Sequence, residues 1–258
     1  MNLEELHTEQ TDEEHIVQMW EPLEFEAEPG YDYHRNGFLR RLTSILLRAF
    51  ADAVLAILDR VCFGLTIGGR KNKKQIRGRG AVTICNHIHP MDCTMIDLAM
   101  WSRRMYYVTL ESNFRIPLIR HLICMLGGVP LPTKTKAIAE LFEEMGKALR
   151  AGSCVQIYPE TVLHPYFDGL RRFEDGAFHL AAKNHTPVLP MVVSQRPPRR
   201  LFCFYKHRPC LHLEILPPIE PDASLPLREA RKKLKQDCRE AMAAYLEEDK
   251  QRQSPLWH

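Results

Sequence analysis

The segment Asn86-His87-Ile88-His89-Pro90-Met91-Asp92 holds, within seven residues, the two side-chain types needed for directed proton abstraction. Imidazole titrates near neutral pH, which makes His87 a candidate general base. Asp92 can accept a hydrogen bond from the ring nitrogen that stays out of the chemistry, fixing the tautomer and stabilising the imidazolium that forms. Two other readings share these residues. His87, His89 and Asp92 could ligate a metal ion, although no second ligand cluster accompanies them. Cys85 and Cys93 flank the histidine and could supply a thiol nucleophile. Cys85, however, ends an apolar run, where cysteine commonly behaves as a small buried hydrophobe.

The flanking sequence decides whether His87 and Asp92 can meet. Ala81-Val82-Thr83-Ile84-Cys85 has the composition of a short buried strand. Pro90 then opens the stretch PMDCTMIDLAMW, with proline suited to a first helical position. On one continuous helix, residues five apart would point about 140° away from each other. A strand–loop–helix junction instead lets both face one cleft at the strand's C-terminal end, where open α/β sheets bind ligands.

In this context the segment resembles the NHxxxxD block of the glycerolipid acyltransferase family, the group containing the 1-acylglycerol-3-phosphate acyltransferases. Four further stretches follow in the family's order, across roughly residues 80–195. Asn113 to Pro117 with Leu126-Gly127-Gly128-Val129 resembles the second block. The helix around Lys136 to Arg150 and the strand Val155 to Tyr158 lead into Pro159-Glu160-Thr161, similar to the PEGTR block. Phe173 to Ala182 resembles the helix that follows, and Thr186 to Met191 the closing strand. The resemblance implies an α/β fold, a mixed central sheet covered by helices. It also implies direct transfer of a fatty acyl group, with acyl-CoA or acyl carrier protein as co-substrate and neither a further cofactor nor a metal. The acceptor would be the free hydroxyl of a lysophospholipid, in first place 1-acylglycerol-3-phosphate, yielding phosphatidic acid.

The substrate-binding set implied in the same way is Asn86, Lys134, Glu160, Thr161, Arg171 and Arg172. Two departures concern the acceptor. Where the family's second block ends in arginine, this chain reads Pro130 to Lys134, and its third block has Thr161 after Glu160 in place of Gly-Thr-Arg. Lys134 and the Arg171-Arg172 pair can replace the missing cations, but lysine lacks arginine's bidentate fork.

Charge is unevenly distributed. Residues 1–32 contain eleven Asp and Glu, and all 35 Lys and Arg come later. Residues 1–36 therefore read as an acidic, poorly ordered extension, with Trp20, Leu23 and Phe25 available as anchors. Residues 37–69 are apolar but interrupted by Arg40, Arg41, Arg48, Asp52, Asp59 and Arg60, so no uncharged run approaches a membrane span. One or two amphipathic helices fit this segment, and either a protein core or an anionic membrane surface would suit them. Residues 70–258 form the catalytic domain, ending in a helix from about Pro226 to Glu248. The basic body calls for an anionic partner. Scattered Trp20, Trp101 and Trp257 give no stacking platform for nucleic acid. Eight cysteines without a CxxC pair, and an N-terminus without a signal-like apolar run, suggest a cytoplasmic protein at the cytoplasmic face of a membrane.

Overall fold

Short buried strands alternate with amphipathic stretches along the chain and assemble into a seven-stranded sheet with helices on both faces. A computed structural model describes residues 25–33, 38–115, 119–198 and 200–253. In chain order the elements are α1 (Phe38–Phe63), β1 (Thr66–Gly68), α2 (Arg70–Lys73), β2 (Ala81–Cys85), α3 (Asp92–Ala99), β3 (Met105–Leu110), α4 (Ile119–Met125), β4 (Gly128–Leu131), α5 (Thr135–Arg150), β5 (Cys154–Ile157), α6 (Gly176–Lys183), β6 (Val188–Arg196), β7 (Cys210–Ile215) and α7 (Leu227–Gln253). The sheet order is β1-β7-β6-β2-β5-β3-β4. Every neighbouring pair is parallel except β6 and β7, so the sheet is mixed.

Strand β2 sits near the centre and is buried throughout, as its largely apolar composition requires. Its alternate side chains serve two cores. Val82 and Ile84 join Leu141 and Met145 of α5, Phe178 of α6 and Leu234 of α7. Ala81 and Cys85 join Met95, Ile96 and Ala99 of α3, with Leu213 of β7. The one polar residue of β2, Thr83, donates to Gln156 of β5 at 2.6 Å, so its burial leaves no orphaned hydroxyl.

The N-terminal boundaries differ from the sequence-based ones. Thr66–Gly68, inside the segment assigned to amphipathic helices, is an edge strand of the sheet. Within the extension expected to be poorly ordered, Phe25 stacks on Phe114, and Ala27 and Tyr33 are buried. Aromatic burial thus anchors residues 25–33 of that extension to the body. Trp20, Leu23 and Pro117 lie outside the described residues.

Candidate active site

The chain leaves the sheet at Asn86, and that side chain prolongs the ladder by one step. Its Nδ2 donates to the Val193 carbonyl at 2.9 Å, and its Oδ1 accepts from the Val193 N–H at 2.8 Å. Both polar ends are thereby used and the residue is buried. Asn86, expected to bind substrate, instead pins the start of the catalytic loop to β6.

His87 and Asp92 converge as the strand–loop–helix reading requires. Asp92 is the first residue of α3 and is fully buried. Its Oδ2 lies 3.0 Å from His87 Nδ1 and also accepts the backbone N–H groups of Ile88 and His89, each at 2.9 Å. A carboxylate only accepts, so Nδ1 carries the proton and Nε2 is left with a free lone pair. The His87 side chain keeps 21 % of its surface accessible, which leaves that lone pair reachable. On its other side the imidazole stacks on the half-buried ring of Tyr158, with centroids 4.1 Å apart and planes inclined by 19°.

Glu160 braces this loop from β5. It is buried, one oxygen accepting the His87 N–H at 3.2 Å and the other the Arg171 N–H at 3.1 Å. A second seam closes the loop from outside: His164 N–H donates to the His87 carbonyl, and Tyr166 N–H to that of Ile88. The Arg171 guanidinium reaches His164 Nδ1 at 2.7 Å, so it lies beside the loop that carries His87. Thr161 adopts φ +62°, the left-handed conformation that β-branched residues avoid, and its hydroxyl turns back onto the Glu160 carbonyl. That is the position at which the motif has glycine.

Two expected cations stand apart. Lys134 is exposed and paired with Glu28 at 2.7 Å and Glu26 at 3.1 Å, bonds that hold its pKa above the ordinary lysine value. Arg172 is 86 % exposed and faces Glu174. Of the three expected cations, only Arg171 lies beside the loop that carries His87. Neither Tyr158 nor His164 was singled out in advance. Tyr158 adjoins Pro159 of the third block, a usable signal, whereas nothing in the sequence marks His164.

The competing chemistries find little support here. Burial pushes the Cys85 thiol well up, the opposite of thiolate activation. His89 Nδ1 accepts the Met91 N–H, and its ring packs between Phe63 and Tyr166. Burial keeps its pKa below the ordinary histidine value, as a wedge rather than a second base. A separate opening of about 700 Å³ between α1, β1 and α3 is lined by Arg60, Arg70, Leu98 and Trp101, among others, and by none of residues 86–92.

Comparison with known proteins bears on the fold and the family. No curated protein matches the chain. Among solved structures, it resembles the crystal structure of the 1-acyl-sn-glycerophosphate (LPA) acyltransferase PlsC from Thermotoga maritima, with 19 % identity over 82 % of this chain and 87 % of that one and a TM-score of 0.57. At that identity the likeness establishes the shared fold. The Acyltransferase family model matches residues 65–194, half of the chain, from just before β1 into β6, and encloses the His87–Asp92 pair with its Glu160 brace. By that match the chain belongs to the Acyltransferase family, that of the glycerolipid acyltransferases.

Proposed function

We propose that the protein transfers a fatty acyl group from acyl-CoA or acyl carrier protein to the free hydroxyl of a lysophospholipid, with 1-acylglycerol-3-phosphate as acceptor and phosphatidic acid as product. The observation that carries this reading is the His87 Nδ1 to Asp92 Oδ2 hydrogen bond, which directs the basic Nε2 outward. His87 Nε2 takes the proton of the acceptor hydroxyl as its oxygen attacks the thioester carbonyl carbon. The carbon–sulfur bond then breaks, and the imidazolium returns the proton to the departing thiolate. The stacked Tyr158 face and the buried Asp92 charge both favour the transient imidazolium.

Arg171 is the cation best placed for the acceptor phosphate, since Glu160 holds its backbone and His164 its side chain beside the catalytic loop. An amphiphilic acceptor suits a peripheral enzyme on the anionic cytoplasmic face of a membrane. Among the described residues, no helix is long and apolar enough to cross a bilayer. Helix α1 nevertheless turns Leu46, Phe50, Ile57 and Leu58 to solvent while burying Asp52 and Asp59. Such inverted amphipathicity suits an apolar exterior.

The test is purified protein in detergent with a labelled acyl thioester and a panel of lysolipids, wild type beside His87→Ala. Transfer to lysophosphatidic acid that disappears in the variant is expected. Transfer that survives His87→Ala would overturn the mechanism, and transfer to a different lysolipid would replace the acceptor alone.

A further inference from the structure

Residues 200–208, which the catalytic reading leaves unused, carry Phe204, at 86 % the most exposed large apolar side chain among the described residues. The turn that presents it is firmly attached. The Phe202 ring and Cys210 fill the space that a side chain at Gly64 would need, and Phe202 packs on Tyr205 with centroids 5.9 Å apart. Tyr205 donates its hydroxyl to the Val61 carbonyl at 2.8 Å, and Lys206 Nζ donates to that of Cys62. These carbonyls close α1, where a helix has no backbone donors of its own to offer them. The turn therefore caps α1 and presents the exposed Phe204 next in sequence to Tyr205, which is hydrogen-bonded to Val61 at the end of a helix that also exposes Ile57 and Leu58.

The surroundings are cationic. Arg60 in the last turn of α1 and Arg208 at the end of the Phe204 turn are both exposed. Arg208 also lies over the Tyr166 ring at 5.5 Å, and the Tyr166 N–H holds the catalytic loop at Ile88. An apolar tip accompanied by cations is complementary to a bilayer whose apolar interior lies beneath anionic headgroups.

We propose that Phe204 and Tyr205 form a second membrane-insertion tip which, together with α1, seats the mouth of the active site on an anionic bilayer. This inference rests on the reading of α1 as a membrane-docking helix. The tip penetrates the interface while Arg60 and Arg208 contact headgroups. Through Arg208 and Tyr166, the catalytic loop is held beside the surface from which an amphiphilic acceptor would enter.

The test is sedimentation of the full chain with phosphatidylcholine vesicles, with and without phosphatidylglycerol. Wild type is compared with Phe204→Glu, Phe204→Trp and, in α1, Ile57→Glu, all checked for an unchanged thermal unfolding midpoint. Phe204→Glu is expected to weaken binding to anionic vesicles by about tenfold or more, the loss due to one large apolar anchor. Phe204→Trp is expected to keep binding and to show a vesicle-dependent blue shift beyond that of the wild type. Wild-type binding by Phe204→Glu beside lost binding by Ile57→Glu overturns the second tip and leaves the α1 reading standing. Absence of wild-type binding removes both. Phe204→Glu that dissociates a self-associated species while binding vesicles normally would assign the tip to a second copy of the chain.

Discussion

An imidazole becomes a directed base only when one nitrogen is fixed, and here a single carboxylate oxygen does this while gathering two backbone N–H groups. Asp92→Asn replaces a pure acceptor with an amide whose NH₂ can face Nδ1, moving the ring proton to Nε2. Turnover is expected to fall by about 10²–10⁴-fold with the fold retained, measured as kcat beside circular dichroism. Asn86→Ala strands the Val193 N–H and carbonyl in a buried setting, where each lost partner costs about 1–3 kcal/mol. A clear fall in the urea midpoint is expected, and an unchanged midpoint would contradict the clamp. His87 and Asp92 were legible because their spacing and setting imply contact. The roles of Asn86 and Lys134 were not, since their partners Val193, Glu26 and Glu28 lie about 100 residues away.

At the scale of elements, α1 carries its acids inward. Asp59 is buried at the contact with α3 and meets the Thr94 hydroxyl, two residues beyond Asp92. Burial raises its carboxyl from the ordinary 3.8 to about 6, against a smaller opposing effect of the Thr94 hydrogen bond. The folded state therefore holds this proton more tightly than the unfolded chain. The associated stability is complete below about pH 4 and is lost as pH rises through about 6. Asp59→Asn is expected to remove this dependence and to be the more stable protein at pH 8, by on the order of 1–3 kcal/mol. Urea unfolding of both proteins at pH 4.5 and 8 checks the sign, and equal differences at the two values would refute it. The helical period of α1 was legible, but which side faced the body was not. Periodicity locates an apolar stripe without saying whether protein or another apolar medium covers it. Strand β1 escaped notice because three residues are too few for an alternating pattern.

For the whole molecule, charge and apolar surface act together. Docking through Arg60 and Arg208 should weaken as salt rises from 0.1 to 1 M and the screening length shrinks from about 10 to about 3 Å, with the apolar part persisting. Sedimentation with phosphatidylglycerol vesicles across a sodium chloride series should show several-fold release, and salt-independent binding would remove the electrostatic contribution. The sequence by itself determined the meeting of His87 with Asp92 and the alternation of strands and helices that builds the sheet. Both are encoded locally, in HxxxxD at a strand–helix junction and in periods of two and 3.6 residues. Only the tertiary structure decided which charges serve the site. It confines Lys134 to the acidic N-terminal segment, turns Arg172 to solvent, brings Arg171 and the unforeseen His164 and Tyr158 beside His87, and leaves Phe204 projecting from the cap of α1. Those outcomes depend on contacts between residues far apart in the chain, and no local spacing records them.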